Sequence, residues 1–282
     1  DITLVTGADV LRLETGEDNR ISSIVYRHNG EEKRLSPKLV ILSAGAIRSA
    51  TLLLSSANGR NPNGLANSSD QAGRNFMNHN ATFMLAIDPR TVNDSVYQKT
   101  IHFNDFYFDD GHGSGPLGQV QLLGRVTAPI LKTRVPLVPE IALNWICRHA
   151  VDWYLVSEDL PRKESRVRLD GPQVILEWRF SNMAAHHLLV KRVKERMRAA
   201  GYPILLSQLV DGRLPSHQCG TTRIGLDPAT HVSDPWCRSF DHQNLFIVDA
   251  GFLPTSAAVN PSLTVAAQAL RVADYIRRKE LN

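Results

Sequence analysis

Short apolar runs separated by turn-forming residues fill the first part of the chain. Four of these runs predict strands: Ile2 to Val5, Val10 to Leu13, Ile21 to Tyr26 and Leu39 to Leu42. The last run is apolar without interruption, which is typical of a strand covered on both faces. It leads through small residues around Gly45 into a segment from Ile47 to Ser56 that predicts a helix. A strand, a small-residue turn and a helix let backbone approach a ligand at the helix N-terminus.

The middle of the chain alternates between apolar and polar positions. Its strand candidates are Ala81 to Ile87, Gln119 to Leu123, Ser165 to Leu169 and Val174 to Phe180. A glycine-rich segment, Gly111 to Gly118, and a proline-rich segment, Pro129 to Pro139, interrupt the alternation and predict loops. An antiparallel sheet with long loops fits this pattern best.

Two helices are predicted in the last third of the chain. Ser181 or Asn182 is placed to cap the first of them. Basic residues on one face of this helix are typical of a solvated surface, with an anionic partner as the alternative. The second helix follows an apolar strand, Leu245 to Val248, and begins after Asn260 at Pro261, where proline fits the first helical position.

Composition narrows the class of protein. Of 282 residues, 43% are apolar, which is enough for a sizeable core. The 32 basic and 28 acidic residues are interspersed, so the net charge of +4 does not indicate a nucleic-acid partner. No apolar run approaches the roughly 18 residues that span a bilayer. The three cysteines are widely spaced, which argues against a disulfide framework or a metal cluster and favours a reducing compartment such as the cytoplasm.

His217 is the first candidate for chemistry, in the segment Ser216-His217-Gln218-Cys219-Gly220-Thr221. A lone histidine is more often structural than functional. The alternative is a general base, because a neutral imidazole near pH 7 can take the proton of an alcohol while a hydride leaves the carbon.

Asn260 allows two interpretations. Asparagine before Pro261 at a helix start is a typical N-cap, whose side chain accepts a hydrogen bond from a first-turn amide. Alternatively, its carboxamide binds a substrate hydroxyl while the helix dipole supports negative charge on a reduced flavin. One side-chain oxygen does not serve both roles, so the two interpretations make different structural predictions.

Cys219 supports a rival function, since a cysteine two residues from His217 could act as the nucleophile of a hydrolase or transferase. The chain has no GxSxG segment, as a serine hydrolase elbow would require. Gly111 to Gly115 is followed directly by Pro116, so it does not open a helix as a dinucleotide-binding loop would.

Several segments together resemble the glucose-methanol-choline (GMC) flavoprotein oxidoreductases. His217-Gln218-Cys219-Gly220-Thr221 is similar to the family's HxxGT element. The other matching segments are Val5 to Val10, Val40 to Ile47, Gly73-Arg74-Asn75 with Met77 and His79, Arg223 to Pro228, Asn244 to Gly251, Pro254-Thr255 and Asn260-Pro261 with Thr264. The resemblance covers almost the whole chain.

The resemblance implies a fold with two interleaved domains. A Rossmann-like α/β domain for FAD takes residues 1–78 and 212–282, and an α+β substrate domain with an antiparallel sheet flanked by helices takes residues 79–211. The family's N-terminal GxGxxG unit has no counterpart, so the chain resembles the C-terminal portion of a longer enzyme. The missing FAD-binding segment is then supplied by the same parent chain or in trans.

The resemblance also implies residue roles. His217 corresponds to the catalytic base and Asn260 to its partner, while hydride passes to flavin N5. The predicted FAD contacts are Val10, Gly45, Asp249, Ala250, Pro261 and Ser262. The family's second signature is imperfect, because Ala50 and Ala57 replace its usual residues.

The middle segment resembles bacterial sugar-oxidising members of the family. The matching segments are Tyr97-Gln98-Lys99-Thr100, Asn104 to Tyr107 and Ser157-Glu158-Asp159-Leu160-Pro161. We therefore expect FAD-dependent oxidation of a small-molecule alcohol, with a sugar or polyol favoured and the electron acceptor undefined. The alternatives are an inactive or partner-requiring fragment without flavin, and a hydrolase or transferase that depends on Cys219.

Overall fold

The computed structural model describes residues 2–96, 99–211 and 216–280. Within these ranges the strands are β1 (Ala8–Thr15), β2 (Ile21–His28), β3 (Glu31–Leu35), β4 (Val40–Leu42), β5 (Asn80–Ile87), β6 (His102–Phe103), β7 (Gln119–Leu122), β8 (Ala150–Ser157), β9 (Arg166–Asp170), β10 (Gln173–Glu177), β11 (Ile204–Leu209) and β12 (Leu245–Ile247). The helices are α1 (Gly45–Ser55), α2 (Ala128–Arg134), α3 (Glu140–His149), α4 (Met183–Ala199) and α5 (Ser262–Lys279), with a 3₁₀ turn at Ala250–Phe252. Tyr97, Gln98 and the predicted domain boundary at residue 212 lie outside the described residues.

The first three strands form an antiparallel sheet in the order β1-β2-β3. Asn29 and Gly30 join β2 to β3 with φ angles of 54° and 83°, as a tight hairpin requires. The prediction of a strand at Ile2 to Val5 was wrong: Ile2 and Leu4 are 99% and 83% exposed and belong to no strand of the described chain. Apolar side chains alone do not make a strand where no neighbouring strand pairs with the backbone.

β4 and β12 form a parallel pair, with Leu245 opposite Val40 and Ile247 opposite Leu42. β4 continues into α1, so the C-terminal ends of both strands and the N-terminus of α1 lie at one edge. The expectation that β4 is covered on both faces was wrong, because Ile41 is 54% exposed. β12 is fully buried, as its apolar sequence predicts.

A five-stranded antiparallel sheet in the order β11-β5-β8-β7-β6 dominates the middle of the chain. α4 covers one face, where Leu189 and Val193 pack against Met84, Trp153 and Leu155. The opposite face carries a row of side chains in register, Phe83, Tyr154, Gln121 and His102. This row faces the candidate site described below.

Several features of this region were not predicted. The sequences of β6, β8 and β11 were not assigned to strands, although β8 lies between β5 and β7. The proline-rich segment was predicted as a loop, but it contains most of α2 and ends directly before α3. Pro129 lies in the first turn of α2 and Pro139 at the N-cap of α3, positions where a missing N–H costs nothing.

The predicted caps of α4 were also wrong. Asn182 occupies the N-cap position but adopts a left-handed conformation, with φ of 53°, and makes no side-chain capping bond. The hydroxyl of Ser181 instead accepts a hydrogen bond from the Leu160 N–H and donates one to Asp159. The demands of this buried contact outweigh the local preference for a cap.

Two features are absent from residues 2–96, 99–211 and 216–280. No helix in these ranges is long and apolar enough to cross a membrane. They contain no group of three or more His, Cys, Asp or Glu side chains that could hold a metal ion. All three cysteines are buried and unpaired.

Candidate active site

His217 is held by a short antiparallel contact between two loops. The N–H and C=O groups of Cys219 bond to those of Met77 at 3.0 and 2.9 Å. Gly220 follows with φ of 88°, and a side chain there would lie 2.3 Å from the Asn75 carbonyl oxygen. Only glycine allows this approach. Two residues before Cys219, His217 itself has φ of 29°, a strained conformation for a residue with a side chain.

The side chain of Asn260 points at His217. Its Nδ2 lies 3.4 Å from His217 Nε2, and its Oδ1 accepts a hydrogen bond of 3.3 Å from Gln121 Nε2. The N-cap interpretation of Asn260 was therefore wrong. α5 starts one residue later than predicted, with Pro261 at the N-cap position and no side-chain capping bond. Gln121 thus occupies the oxygen that a cap would have used.

His79 packs against the other side of His217. The two ring centroids are 4.8 Å apart and the ring planes are inclined by 73°. His79 is 3% exposed, and its Nδ1 donates a 3.2 Å hydrogen bond to the Ala257 carbonyl. Burial is the main cause that lowers the pKa of His79 to about 4; His217 acts in the same direction, and the bond to Ala257 acts in the opposite direction. His79 is therefore neutral at pH 7.

His217 is partly buried, and its surroundings favour the neutral imidazole. Burial is the main cause that lowers the pKa of His217, and the positive charge of Lys99 adds to it. Its Nδ1 is buried and has no hydrogen-bond partner in the described structure. A neutral imidazole keeps a lone pair on one of its two ring nitrogens, which is what a general base requires.

The five-stranded sheet closes the site on the far side of Asn260. Gln121 lies opposite Tyr154 in the β7–β8 register, and the Tyr154 ring lies 5.2 Å from the Phe83 ring. Burial raises the pKa of Tyr154, while a hydrogen bond with Ser216 acts in the opposite direction. Amide and aromatic side chains therefore face the His217–Asn260 pair.

The predicted cofactor residues fall into separate places. Gly45 and Asp249 are brought together at the edge of the parallel pair: Asp249 Oδ2 accepts a 3.0 Å bond from the Gly45 N–H and a bond from the Ser49 hydroxyl, while its Oδ1 accepts a 2.8 Å bond from the Gly251 N–H. Burial raises the pKa of Asp249, and these three donors act in the opposite direction. Its carboxylate therefore joins the ends of β4 and β12.

The other predicted contacts lie on different elements. Ala250 begins the 3₁₀ turn directly after Asp249. Pro261 is buried and Ser262 exposed at the start of α5, next to Asn260. Val10 lies on β1 and is 43% exposed.

Comparison with known proteins identifies this arrangement. Residues 1–81 match the N-terminal domain model of the GMC oxidoreductases, and residues 206–269 match the C-terminal domain model. The chain belongs to the GMC oxidoreductase family. Both segments of the candidate site, around His217 and around Asn260, fall inside the C-terminal match.

Curated relatives extend the similarity along nearly the whole chain. The fructose dehydrogenase large subunit of Gluconobacter japonicus is 30% identical over 97% of this chain and 53% of its own length. Paromamine 6'-oxidase of Streptomyces fradiae is 27% identical over 98% of the chain and 52% of its own length. 2-Methyl-1,2-propanediol dehydrogenase of Mycolicibacterium austroafricanum is 29% identical over 92% and 51%. The chain spans about half the length of the curated relatives it matches.

Solved structures show the same fold. Pyridoxine 4-oxidase from Mesorbium loti superimposes with a TM-score of 0.68 and 19% identity over 99% of this chain and 58% of its own. The formate oxidase of Aspergillus oryzae gives a TM-score of 0.68 and 15% identity over 97% and 60%. The predicted α/β fold of a GMC-type FAD protein is thus confirmed, while the domain boundaries remain a prediction.

FAD is the cofactor of the GMC family, and two features of the described residues fit a flavin beside the His217–Asn260 pair. α5 supplies no partner for the N–H groups of its first turn, and Ser262, Leu263 and Thr264 are exposed there. These groups suit an electron-rich acceptor at the positive end of the helix dipole. At Gly45, where φ is 83°, a side chain would meet no atom within 4 Å, so the backbone is open to a ligand.

The environment of Cys219 argues against the rival nucleophile. Its side chain is fully buried in a cluster with Met77 and Phe246. Burial raises the pKa of the Cys219 thiol, and the nearby Asp159 raises it further. A reactive cysteine needs the opposite, a lowered pKa and access to substrate.

The sequence interpretation missed two polar residues that organise the site. Gln121 was assigned to a strand but to no function, although its position on the same face as Gln119 showed that it must face one side of the sheet. Asp159 was noted only in a family-like segment. In the structure it is buried and accepts hydrogen bonds from the Asn78 N–H, the Trp178 indole and Ser181.

Proposed function

We propose that the full-length protein oxidises a hydroxyl group of a sugar or polyol, with FAD as the hydride acceptor. The observation that carries this proposal is the placement of the Asn260 amide 3.4 Å from His217 Nε2, with Asn260 turned away from its helix by Gln121. A general base and a hydrogen-bond donor then converge on one point.

A substrate hydroxyl can contact both of these side chains at once. Its oxygen accepts a hydrogen bond from Asn260 Nδ2, and its proton is directed at His217 Nε2. Neutral His217 takes this proton as the alcohol becomes a carbonyl, and Asn260 stabilises the negative charge that develops on the oxygen. Bound FAD supplies the acceptor for the hydride that leaves the carbon.

We expect different residues of this chain to line the flavin side and the substrate side of this site. The first turn of α5, with Pro261 and Ser262, and the backbone at Gly45 and Ala250 would hold the flavin. Tyr154, Phe83 and Gln121 on the sheet would face the substrate. Aromatic faces together with amide groups suit a ligand that has both C–H surfaces and hydroxyl groups.

The relatives support a sugar or polyol as the substrate class. Their names refer to fructose, the aminoglycoside paromamine and a diol. One relative is named a large subunit, which favours assembly with a further subunit in this protein as well. The remaining part of the FAD site would come from the part of the relatives' length that this chain does not span.

Replacement of His217 by alanine in the full-length enzyme tests the function. We expect the rate of flavin reduction by substrate under anaerobic conditions to fall by about 10²- to 10⁴-fold, the usual contribution of a general base. His187→Ala is the matched control, because His187 is exposed on α4. A near-normal rate in the His217 variant would exclude the assignment.

The rival functions need separate measurements. If the 282-residue chain purified alone shows flavin absorbance at full occupancy, it does not need the remaining segment to bind FAD. We expect it to be colourless. Alkylation of Cys219 that abolishes activity without unfolding the protein would revive the thiol-dependent alternative.

A further inference from the structure

Four polar side chains lie in a row: Gln121, Asn260, His217 and His79. Hydrogen bonds join the first three, and the rings of His217 and His79 pack on each other. At one end, Gln121 Nε2 donates to Asn260 Oδ1 at 3.3 Å. At the other end, His79 Nδ1 donates to the Ala257 carbonyl at 3.2 Å. His217 lies between Asn260 and His79. The two ends together determine which nitrogen of His217 carries its proton.

The end at Gln121 constrains Nε2 of His217. Because Asn260 Oδ1 is occupied by Gln121, the group that Asn260 turns toward His217 is its Nδ2, which can only donate. A donor facing Nε2 of a neutral imidazole requires a lone pair on that nitrogen. The proton of neutral His217 then belongs on Nδ1.

The end at Ala257 constrains Nδ1 in the same sense. A carbonyl oxygen only accepts, so His79 must carry its proton on Nδ1 and its lone pair on Nε2. This Nε2 is buried without a partner, and so is Nδ1 of His217 on the adjoining ring. An acceptor without a donor and a donor without an acceptor thus lie on two packed rings, and a buried polar group without a partner is costly.

We propose that Asn260, oriented by Gln121, and the packed ring of His79, oriented by the Ala257 carbonyl, fix neutral His217 with its proton on Nδ1 and its lone pair on Nε2, and that His79 is a positioning residue for the catalytic base. The inference rests on the proposed function and assigns His79 a role in it. It also explains why a second histidine, held neutral by burial, packs on the first.

The tautomer has a direct consequence for proton transfer. The O–H bond of the substrate breaks and a new N–H bond forms at Nε2, which leaves His217 as an imidazolium with protons on both nitrogens. The ring of His79, which packs on His217 and is neutral, then stabilises the positive charge. The opposite tautomer would present an N–H to the substrate and could not accept its proton.

Nitrogen NMR of the full-length, FAD-loaded enzyme with isotope-labelled histidine tests the assignment without any substitution. The signals of His217 are those that vanish in the His217→Gln protein. We expect the spectrum of a neutral imidazole protonated on Nδ1 across the pH range of activity. A predominant Nε2–H form would overturn the proposal.

Substitutions at His79 test its role. His79→Leu removes the acceptor, and we expect kcat to fall by about 10- to 100-fold with the KM for substrate changed less than about two-fold. This is less than the ~10⁴-fold loss seen when a triad aspartate is replaced by asparagine and the wrong tautomer results. His79→Gln should restore most of the rate, because its amide can donate to Ala257 and accept from His217. His187→Leu on the surface of α4 is the control.

The outcomes separate this proposal from the function on which it rests. A normal rate in the His217→Ala enzyme would remove the function itself. A lost rate in that enzyme, together with a wild-type rate and an unchanged His217 spectrum in His79→Leu, would remove only the role of His79. If His79→Leu does not fold, two other measurements decide the matter: the spectrum of the wild type and that of Gln121→Leu. The Gln121→Leu variant should show a larger Nε2–H fraction of His217.

Discussion

Asp249 and His217 stand on the same wall of the site, but their hydrogen bonds differ sharply. The Asp249 carboxylate is buried and accepts bonds from Gly45, Ser49 and Gly251. His217 has strained backbone, one long contact of 3.4 Å to Asn260, and a buried nitrogen without a partner. One group is fully satisfied by protein atoms and the other is not.

This difference is the one we expect between a structural residue and the proposed catalytic base. The two oxygens of Asp249 accept three hydrogen bonds from protein groups, so we infer that Asp249 supports the cofactor site through the backbone it holds in place. An unsatisfied and strained residue persists only where the surrounding structure imposes it, and such residues cluster at functional sites. Sequence motifs placed both residues in the predicted site but did not show this difference in hydrogen bonding.

The largest expected effect is on stability at Asp249. Asp249→Ala leaves the Gly45 and Gly251 N–H groups and the Ser49 hydroxyl without an acceptor, so we expect a loss of about 3–5 kcal/mol in the free energy of unfolding. Chemical denaturation of the full-length protein measures this. Asp249→Asn, which keeps one acceptor oxygen, should lose less. A stable Asp249→Ala protein with impaired flavin binding would show that the carboxylate binds the cofactor directly.

A second test uses a histidine that is saturated where His217 is not. His186 is fully buried, with its Nε2 2.8 Å from the Thr82 hydroxyl and its Nδ1 2.9 Å from the Ser157 hydroxyl. Burial, with a smaller contribution from His187, lowers the pKa of His186 to about 4. The unfolded chain, with a pKa near 6.5, binds more protons between about pH 6.5 and 4, so stability is lost as the pH falls through that window.

The expected loss from His186 is about 3 kcal/mol between pH 6.5 and 4. Above pH 7, His186 should no longer make the free energy of unfolding depend on pH. Denaturation curves at a series of pH values, for the wild type and for His186→Gln, measure the contribution. An equal pH dependence in both proteins would contradict the assignment.

The smallest expected effect on stability is at Asn260. Because Asn260 is exposed and makes no capping bond, Asn260→Ala should change the free energy of unfolding by less than about 0.5 kcal/mol, whereas loss of an N-cap costs about 1 kcal/mol. Flavin reduction in the full-length enzyme should slow by about 10- to 100-fold, a loss below that of one strong oxyanion donor. Leu270→Ala, at an exposed position of α5 away from the site, should change neither quantity.

The sequence predicted the parts of the fold that local patterns specify. β12 follows from its apolar run, and α5 follows from a helical periodicity that begins after a proline. The hairpin at Asn29-Gly30 follows from turn chemistry. β8 and the α2–α3 pair were missed because their identity depends on partners remote in sequence. The same limit applied to Ile2 to Val5, where the apolar residues were present and no strand paired with them.

The site was predictable in its residue types but not in its geometry. His217 and Asn260 were identified by motif, yet the choice between an N-cap and a site-facing amide for Asn260 depended on Gln121, which lies on another strand. His79 was noted only in a family-like segment, because its sequence gave no sign of the Ala257 carbonyl or of the neighbouring ring. Hydrogen-bond direction is a property of the assembled groups.

The contact between Asp249 and Gly45 also has a consequence for biosynthesis. It joins residues 204 positions apart, so the wall of the cofactor site cannot close until the segment from Gly45 to Asp249 has left the ribosome. At about 5–20 residues per second this takes on the order of 10 to 40 s, during which the β4 edge remains unpaired with β12. Contacts between such distant residues form slowly and leave strand edges open to aggregation, which makes the nascent chain a substrate for chaperones.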